Sequence, residues 1–245
     1  MNLCIDIGNT RTKIAVFNGK EKIFFQVFEK INTNLIRQII TQFGIERLIL
    51  SSVAETSNAL LADIMPTLPY CIELTQHTPL PIINAYRTPH TLGKDRLAAI
   101  VGANALFPHN DLLVIDAGTC IKYDFIDQNG RYHGGGIAPG LLMRLNALHS
   151  FTQRLPLLTM PPPPISNLPL TGGDTSEAML SGVFWGALSE MDGLIERYKA
   201  QSKNLKTLLT GGDTPFFENT LKNQVFVRPY LVLEGLNQIL THNNS

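Results

Sequence analysis

An internal echo constrains this 245-residue chain more than any other feature. The stretch "LCIDIGNT" near the N-terminus returns as "LVIDAGT", with Asp116 standing 110 residues after Asp6. Each copy is an apolar strand ending in Asp-x-Gly, followed within two residues by a threonine, Thr10 or Thr119. Each then enters a second apolar strand and an Asn-Gly pair, Asn18-Gly19 and Asn129-Gly130. Asn-Gly between apolar runs is a strong signal for a tight hairpin. Repetition of the whole series at one long offset points to duplication.

The remaining segments alternate between helix and strand. Residues 45–54 and 205–213 read as helix-to-strand passages ending in small residues, and 94–106 as a buried helix rich in Ala and Gly. From Thr175 onward, Met179, Leu180, Val183, Phe184, Ala187, Leu188 and Met191 form a helical apolar stripe. The expectation is an α/β protein of two domains, residues 1–110 and 111–245, with a cleft between them and the last helix packing back on the first domain.

Composition excludes several classes of function. Hydrophobic residues make up 44% and charged residues 16%, which suits a folded globular chain. Lys plus Arg and Asp plus Glu both number 20, so charge gives no reason to expect nucleic acid or an anionic membrane as partner. No apolar run reaches the ~18–20 residues of a membrane span. The N-terminus lacks a basic leader and carries Asp6 where a signal peptide is apolar, so a soluble, cytoplasmic protein is expected. Cys4, Cys71 and Cys120 are isolated and have no metal-ligand spacing. Pro161 to Pro164 reads as a stiff loop, and the six histidines suggest no metal site or triad.

Why should Asp6 and a Gly-Asn-Thr turn interrupt a buried hairpin? Such a turn presents several backbone N–H groups and a hydroxyl to one spot, which is a cradle for phosphate. A carboxylate beside phosphate needs a metal between them, and Mg²⁺ bridges the two through its waters. Two such hairpins could clamp a triphosphate. Thr210-Gly211-Gly212, after a strand, would let the backbone approach a base or ribose closely. The plainer alternative makes Gly8 and Gly118 turn glycines and Asp6 a turn former.

These elements resemble the phosphate-1, phosphate-2 and adenosine motifs of the actin, sugar kinase and heat-shock chaperone ATPase superfamily. Within it the chain is most similar to type III pantothenate kinases. The resemblance rests on Asp6-Ile7-Gly8-Asn9-Thr10, Gly93-Lys94-Asp95-Arg96, Asp116-Ala117-Gly118-Thr119, Gly135 to Gly140, Gly173-Asp174-Thr175 and Thr210-Gly211-Gly212. It runs from residue 6 to residue 212, and its Gly-x-Asp-Arg element is not shared by the wider superfamily. One departure stands out: Cys120-Ile121-Lys122-Tyr123 replaces a small, Thr-rich run.

The resemblance implies two duplicated ribonuclease H-like domains and transfer of the ATP γ-phosphoryl group to the primary hydroxyl of pantothenate. It makes Asp95 the catalytic base; capping of the following helix is the alternative. The ATP site so implied comprises Asp6, Ile7, Gly8, Asn9, Thr10, Arg11, Thr12 and Lys13, with Thr119, Gly211 and Gly212. Lys13 either reaches a phosphate or is solvated. Asp6 would hold Mg²⁺ through water. Pantothenate would meet Tyr86, Gly93, Lys94, Asp95, Arg96 and Thr175, Arg96 gripping its carboxylate. From the residues alone, Tyr86 is a core or rim aromatic, Arg96 a surface cation and Thr175 an N-cap.

Asp116 would hold a monovalent cation, K⁺ or NH₄⁺, or else make a second Mg²⁺ contact. Gly182 and Gly186, four apart on an apolar helix, suit close helix packing, either internal or across the two-fold homodimer that the resemblance implies. In that dimer, Thr175 of one subunit completes the pocket that holds Asp95 of the other. Some family members have been treated as accessory factors for transcription. A nucleotide-binding regulator without turnover therefore stands as an alternative, beside another small-molecule kinase of the superfamily.

Overall fold

The computed structural model describes residues 1–8, 11–52, 62–165 and 167–244. The fold is mixed α/β with two sheets. The chain divides into two compact units, one of residues 1–109, 129–133 and 230–245, the other of residues 110–128 and 134–229.

In the first unit β1 (Asn2–Ile7), β2 (Thr12–Asn18) and β3 (Glu21–Phe28) are followed by α1 (Thr33–Phe43), β4 (Arg47–Ser52) and β5 (Tyr70–Glu73). The sheet order is β3-β2-β1-β4-β5. β1 runs antiparallel to β2 and parallel to β4, and β4 parallel to β5. The hairpin forms where Asn18-Gly19 allows it, Gly19 taking a φ of 59°. Asn32 starts α1 by accepting the Leu35 N–H at 2.9 Å, and Gly44 ends it in the left-handed conformation. Leu3, Ile5, Ile14, Val16, Leu48 and Leu50 pack with Ile36 and Ile39 of α1. Residues on a strand alternate between faces, so Asn2, Cys4 and Asp6 point the other way. Beyond the sheet come β6 (Ile83–Asn84) and α2 (Lys94–Leu106).

The second unit repeats the arrangement. It contains β7 (Leu112–Ala117), β8 (Cys120–Ile126), β9 (Arg131–Pro139), α3 (Leu141–Ser150), α4 (Thr175–Gln201), β10 (Lys206–Thr210), α5 (Thr214–Phe217) and β11 (Phe226–Val227). Five strands of its six-stranded sheet lie in the order β9-β8-β7-β10-β11. β7 is antiparallel to β8 and parallel to β10, which is parallel to β11. This is the first sheet's pattern, strand for strand. The tip of β9, Arg131-Tyr132, belongs to the first unit and pairs there with β6. Met179, Val183, Phe184, Ala187, Leu188 and Met191 of α4 bury their stripe against Leu113, Ile115, Ala117 and Leu209. Glu190 of α4 accepts the Tyr123 O–H at 2.9 Å and the Arg144 guanidinium at 2.7 Å, fastening α4 to β8 and α3. Burial first, and then the bond to Glu190, push the Tyr123 phenol far above its usual range, so it stays a donor.

The last helix, α6 (Leu231–His242), packs on α2 and on β1. Asn2 Nδ2 donates to Asn237 Oδ1 at 2.8 Å, and Asn237 Nδ2 to the Gly19 carbonyl at 2.8 Å. α6 therefore covers the face of β1 that carries Asp6. Contact with α2 is close because Gly235 has no side chain. A Cβ there would enter the van der Waals shell of the Ala98 carbonyl oxygen and stand 3.0 Å from the Gly102 nitrogen. Gly→Ala inside a helix ordinarily gains about 1 kcal/mol of stability. Here the backbone of α2 blocks the methyl group, and we expect Gly235→Ala to cost about 1–3 kcal/mol. The denaturant midpoint of the variant against its parent measures this; an unchanged or higher midpoint would contradict the close helix contact.

Candidate active site

In the first unit the site is built around the end of β1 and the start of α2. Asp6 is buried near the C-terminal end of β1, directly opposite Lys13 of β2. Ile7 is half-buried and pairs with Thr12, which is buried. The Gly8 N–H donates to the Arg11 carbonyl at 3.1 Å and closes the turn from within, and Arg11 is exposed. Asn9 and Thr10 lie outside the described residues.

Gly93 is the residue that caps α2, so Asp95 is not its N-cap but lies in the first turn, where its Oδ1 accepts the Arg96 N–H at 2.8 Å. A carboxylate there faces the positive end of the helix dipole. Arg96 is not a surface cation. It is 5% exposed, with its guanidinium carbon 5.5 Å from the centre of the Tyr86 ring. Tyr86 is half-buried and stacks on Tyr132, the ring centroids 6.2 Å apart and the planes 12° from parallel. Lys94 Nζ lies 2.9 Å from Glu73 Oε1. Glu73, at the end of β5, is a member of this group that no local motif announces; only the sheet brings it to the helix. Tyr86, Lys94 and Arg96 are thus gathered with Glu73 and Tyr132 around the start of α2.

In the second unit Asp116 occupies the place that Asp6 has in the first. Its Oδ2 takes the Lys122 ammonium at 2.8 Å, the two side chains being 16% and 20% exposed. Lys122 is the strand partner of Asp116, as Lys13 is of Asp6. Thr119 is exposed, and its carbonyl accepts the Gly140 N–H at 3.1 Å. Gly211, at a φ of 100°, presses its backbone against the end of β7, where a Cβ would come 2.5 Å from Asp116 Oδ1. Gly212 is exposed, and the Asp213 N–H donates to the Ala117 carbonyl at 2.9 Å. Burial, and then the charge of Asp116, raise the Asp213 carboxyl above its ordinary value. Neither Lys122 nor Asp213 is assigned by sequence reasoning, although Lys122 falls inside the run that departs from the expected pattern.

Thr175 is exposed and is the first residue of α4. The N-cap is Asp174, which accepts the Glu177 N–H at 2.9 Å while Glu177 accepts the Gly173 N–H at 2.8 Å. Asp174-x-x-Glu177 is the sequence pattern of a capping box, a signal present in the sequence, with Glu177 reaching one residue further back than the N-cap. The Thr175 hydroxyl is thereby released from capping. Among the described residues, no group of three or more His, Cys, Asp or Glu side chains could hold a metal ion by itself.

Residues 2–197 match the type III pantothenate kinase family. A type III pantothenate kinase of Bacteroides fragilis is 43% identical over 245 residues, covering 100% of this chain and 99% of its own. One from Phocaeicola vulgatus is 43% identical over 248 residues, with 100% of both chains covered. Among solved structures, a Campylobacter jejuni protein described as a Baf family transcriptional activator gives a TM-score of 0.60 at 22% identity, over 99% of this chain and 98% of that one. ROK hexokinase from Thermus thermophilus gives 0.52 at 12% identity, over 99% of each chain. These two likenesses are of fold alone. The family match and the full-length relatives go further, and by them this chain belongs to the type III pantothenate kinases.

Proposed function

We propose that this chain transfers the γ-phosphoryl group of ATP to the primary hydroxyl of pantothenate, giving 4'-phosphopantothenate, the first step of coenzyme A biosynthesis. The observation that carries the reading is the turn from Gly93 to Arg96, which begins α2 in a chain of this family and holds a carboxylate beside a buried, Tyr86-stacked guanidinium. Asp95 accepts the hydroxyl proton as the new P–O bond forms. The Arg96 guanidinium offers a planar pair of donors to the pantothenate carboxylate. Tyr86, Gly93 and Lys94 line the same pocket, and the Glu73 ion pair fixes Lys94.

ATP is held by Asp6 to Lys13 of the first unit and by Thr119, Gly211 and Gly212 of the second. The family implies a divalent metal with the nucleotide. Asp6 is a hard oxygen donor of the kind Mg²⁺ takes through water, so the residue present fits that ion. Mg²⁺ held there would offset the charge of the phosphates. A monovalent cation at Asp116 fits less well, because the carboxylate already carries the Lys122 ammonium. Domains of residues 1–110 and 111–245, two ribonuclease H-like halves sharing one nucleotide, draw support from the matching strand orders. The protein works in the cytoplasm, without nucleic acid or membrane. Balanced charge supports this; among the described residues, no helix is long and apolar enough to cross a membrane.

The working form is a two-fold homodimer. Gly182 and Gly186 support it: both are exposed on α4, and a Cβ on either would meet nothing within 4 Å. The free hydroxyl of Thr175 then completes the partner's pantothenate pocket.

Asp95→Asn keeps the shape and removes the proton acceptor. Turnover should fall by about 10²–10⁴ with ATP binding little changed; near-normal turnover would remove Asp95 as the base. The shared pocket is tested by co-assembling Asp95→Asn and Thr175→Ala subunits, each homodimer being severely impaired. About half of the dimers are mixed, and each has one intact site of two, so about a quarter of parent activity should return. Mixed dimers as weak as the homodimers would place the whole pocket within one chain.

A further inference from the structure

We infer that Lys122 is a built-in monovalent cation: its ammonium holds the position on Asp116 that a free K⁺ or NH₄⁺ would otherwise take, so that this kinase turns over without either ion. The inference rests on the phosphotransferase reading above and on geometry that stands apart from it. One oxygen of the Asp116 carboxylate is engaged and the other is closely approached by backbone. Oδ2 lies 2.8 Å from Lys122 Nζ, and Oδ1 faces the Gly211 backbone, near enough that a Cβ there would be 2.5 Å away. With both side chains four-fifths or more buried, the pair is poorly screened by solvent and its geometry persists.

The strand register fixes the partnership. Asp116 and Lys122 are directly opposite across the β7–β8 ladder and so share one face of the sheet. The charge count agrees. Asp213 is a second carboxylate beside Asp116, raised above its ordinary value by burial first and then by the charge of Asp116. A fixed cation on Asp116 keeps the turn from accumulating negative charge where phosphate must arrive. An alkylammonium carries the same single charge as K⁺ or NH₄⁺, and Asp116 needs only one such partner. A free ion could enter only by expelling Lys122, or by standing beside it with a second positive charge on the same carboxylate.

The test compares the parent with Lys122→Thr, which removes the ammonium and leaves a small oxygen donor. Each is assayed in KCl, NH₄Cl and NaCl at equal ionic strength and fixed Mg²⁺, for turnover and for thermal midpoint without substrates. The parent should turn over at rates within about twofold in all three salts, with one common midpoint. Lys122→Thr should lose about tenfold or more in NaCl and recover in KCl or NH₄Cl, and its lowered midpoint should rise in the same two salts. A parent rate that climbs many-fold with K⁺ overturns the inference, even where the variant does not fold. So does a variant that is equally impaired, or equally active, in every salt. Absence of parent turnover in all salts would instead sink the kinase reading, and the midpoints would still report whether Asp116 accepts a free ion.

Discussion

A carboxylate at the end of a buried central strand must be compensated, and much of this structure follows from how that is done twice. Asp6 and Asp116 both sit near the C-terminal ends of strands flanked on one side by an antiparallel neighbour and on the other by a parallel one. In both hairpins the antiparallel neighbour places a lysine directly opposite the acid, Lys13 in one and Lys122 in the other. The C-terminal edge of such strands is where open α/β sheets bind ligands, because the chain leaves the sheet there and exposes backbone donors. The spacing from acid to lysine is one residue shorter in the second hairpin. That hairpin closes tightly enough for its lysine to form the ion pair with Asp116.

The proposed chemistry depends on a different kind of precision. Asp95, Arg96 and Lys94 come from one helical turn, and the position of that turn is set by how closely α2 and α6 approach. Gly102 and Gly235 set that approach with backbone against backbone, which yields far less than a flexible side chain. Arg96 and Tyr86 then fix one another, Tyr132 supports Tyr86 from behind, and Glu73 draws Lys94 toward β5. A misplacement of about 1 Å can cost 10²-fold in rate, so on the proposed reading helix packing remote from the reacting atoms bears on turnover.

Much of this was legible in the sequence, and the failures have physical causes. The helix over residues 94–106, read from its Ala- and Gly-rich composition, and the long helix from Thr175, read from its apolar stripe, both form, because local composition and tertiary burial agree there. Both Asn-Gly pairs close hairpins. Asp174 and Thr175 are both residue types that cap helices, and the choice between them lay in Glu177, which stands three residues after Asp174. The surface-cation alternative for Arg96 fails because the side chain is buried, its guanidinium near the ring of Tyr86, ten residues away through a loop. The Lys122 pairing required the register of β8 on β7, where a slip of one residue would turn the side chain to the other face. Glu73 lies at the end of a short strand with no motif, and only tertiary structure brings it to α2.

The central claim is that ATP is consumed only to phosphorylate pantothenate. It is tested most directly by following ADP release by the full chain with and without pantothenate, while phosphorus NMR identifies the product. The account predicts ADP release that depends on pantothenate, with one phosphate monoester on the pantothenate primary hydroxyl for each ADP formed. ATP binding without turnover, or ADP release that is indifferent to pantothenate, would contradict it.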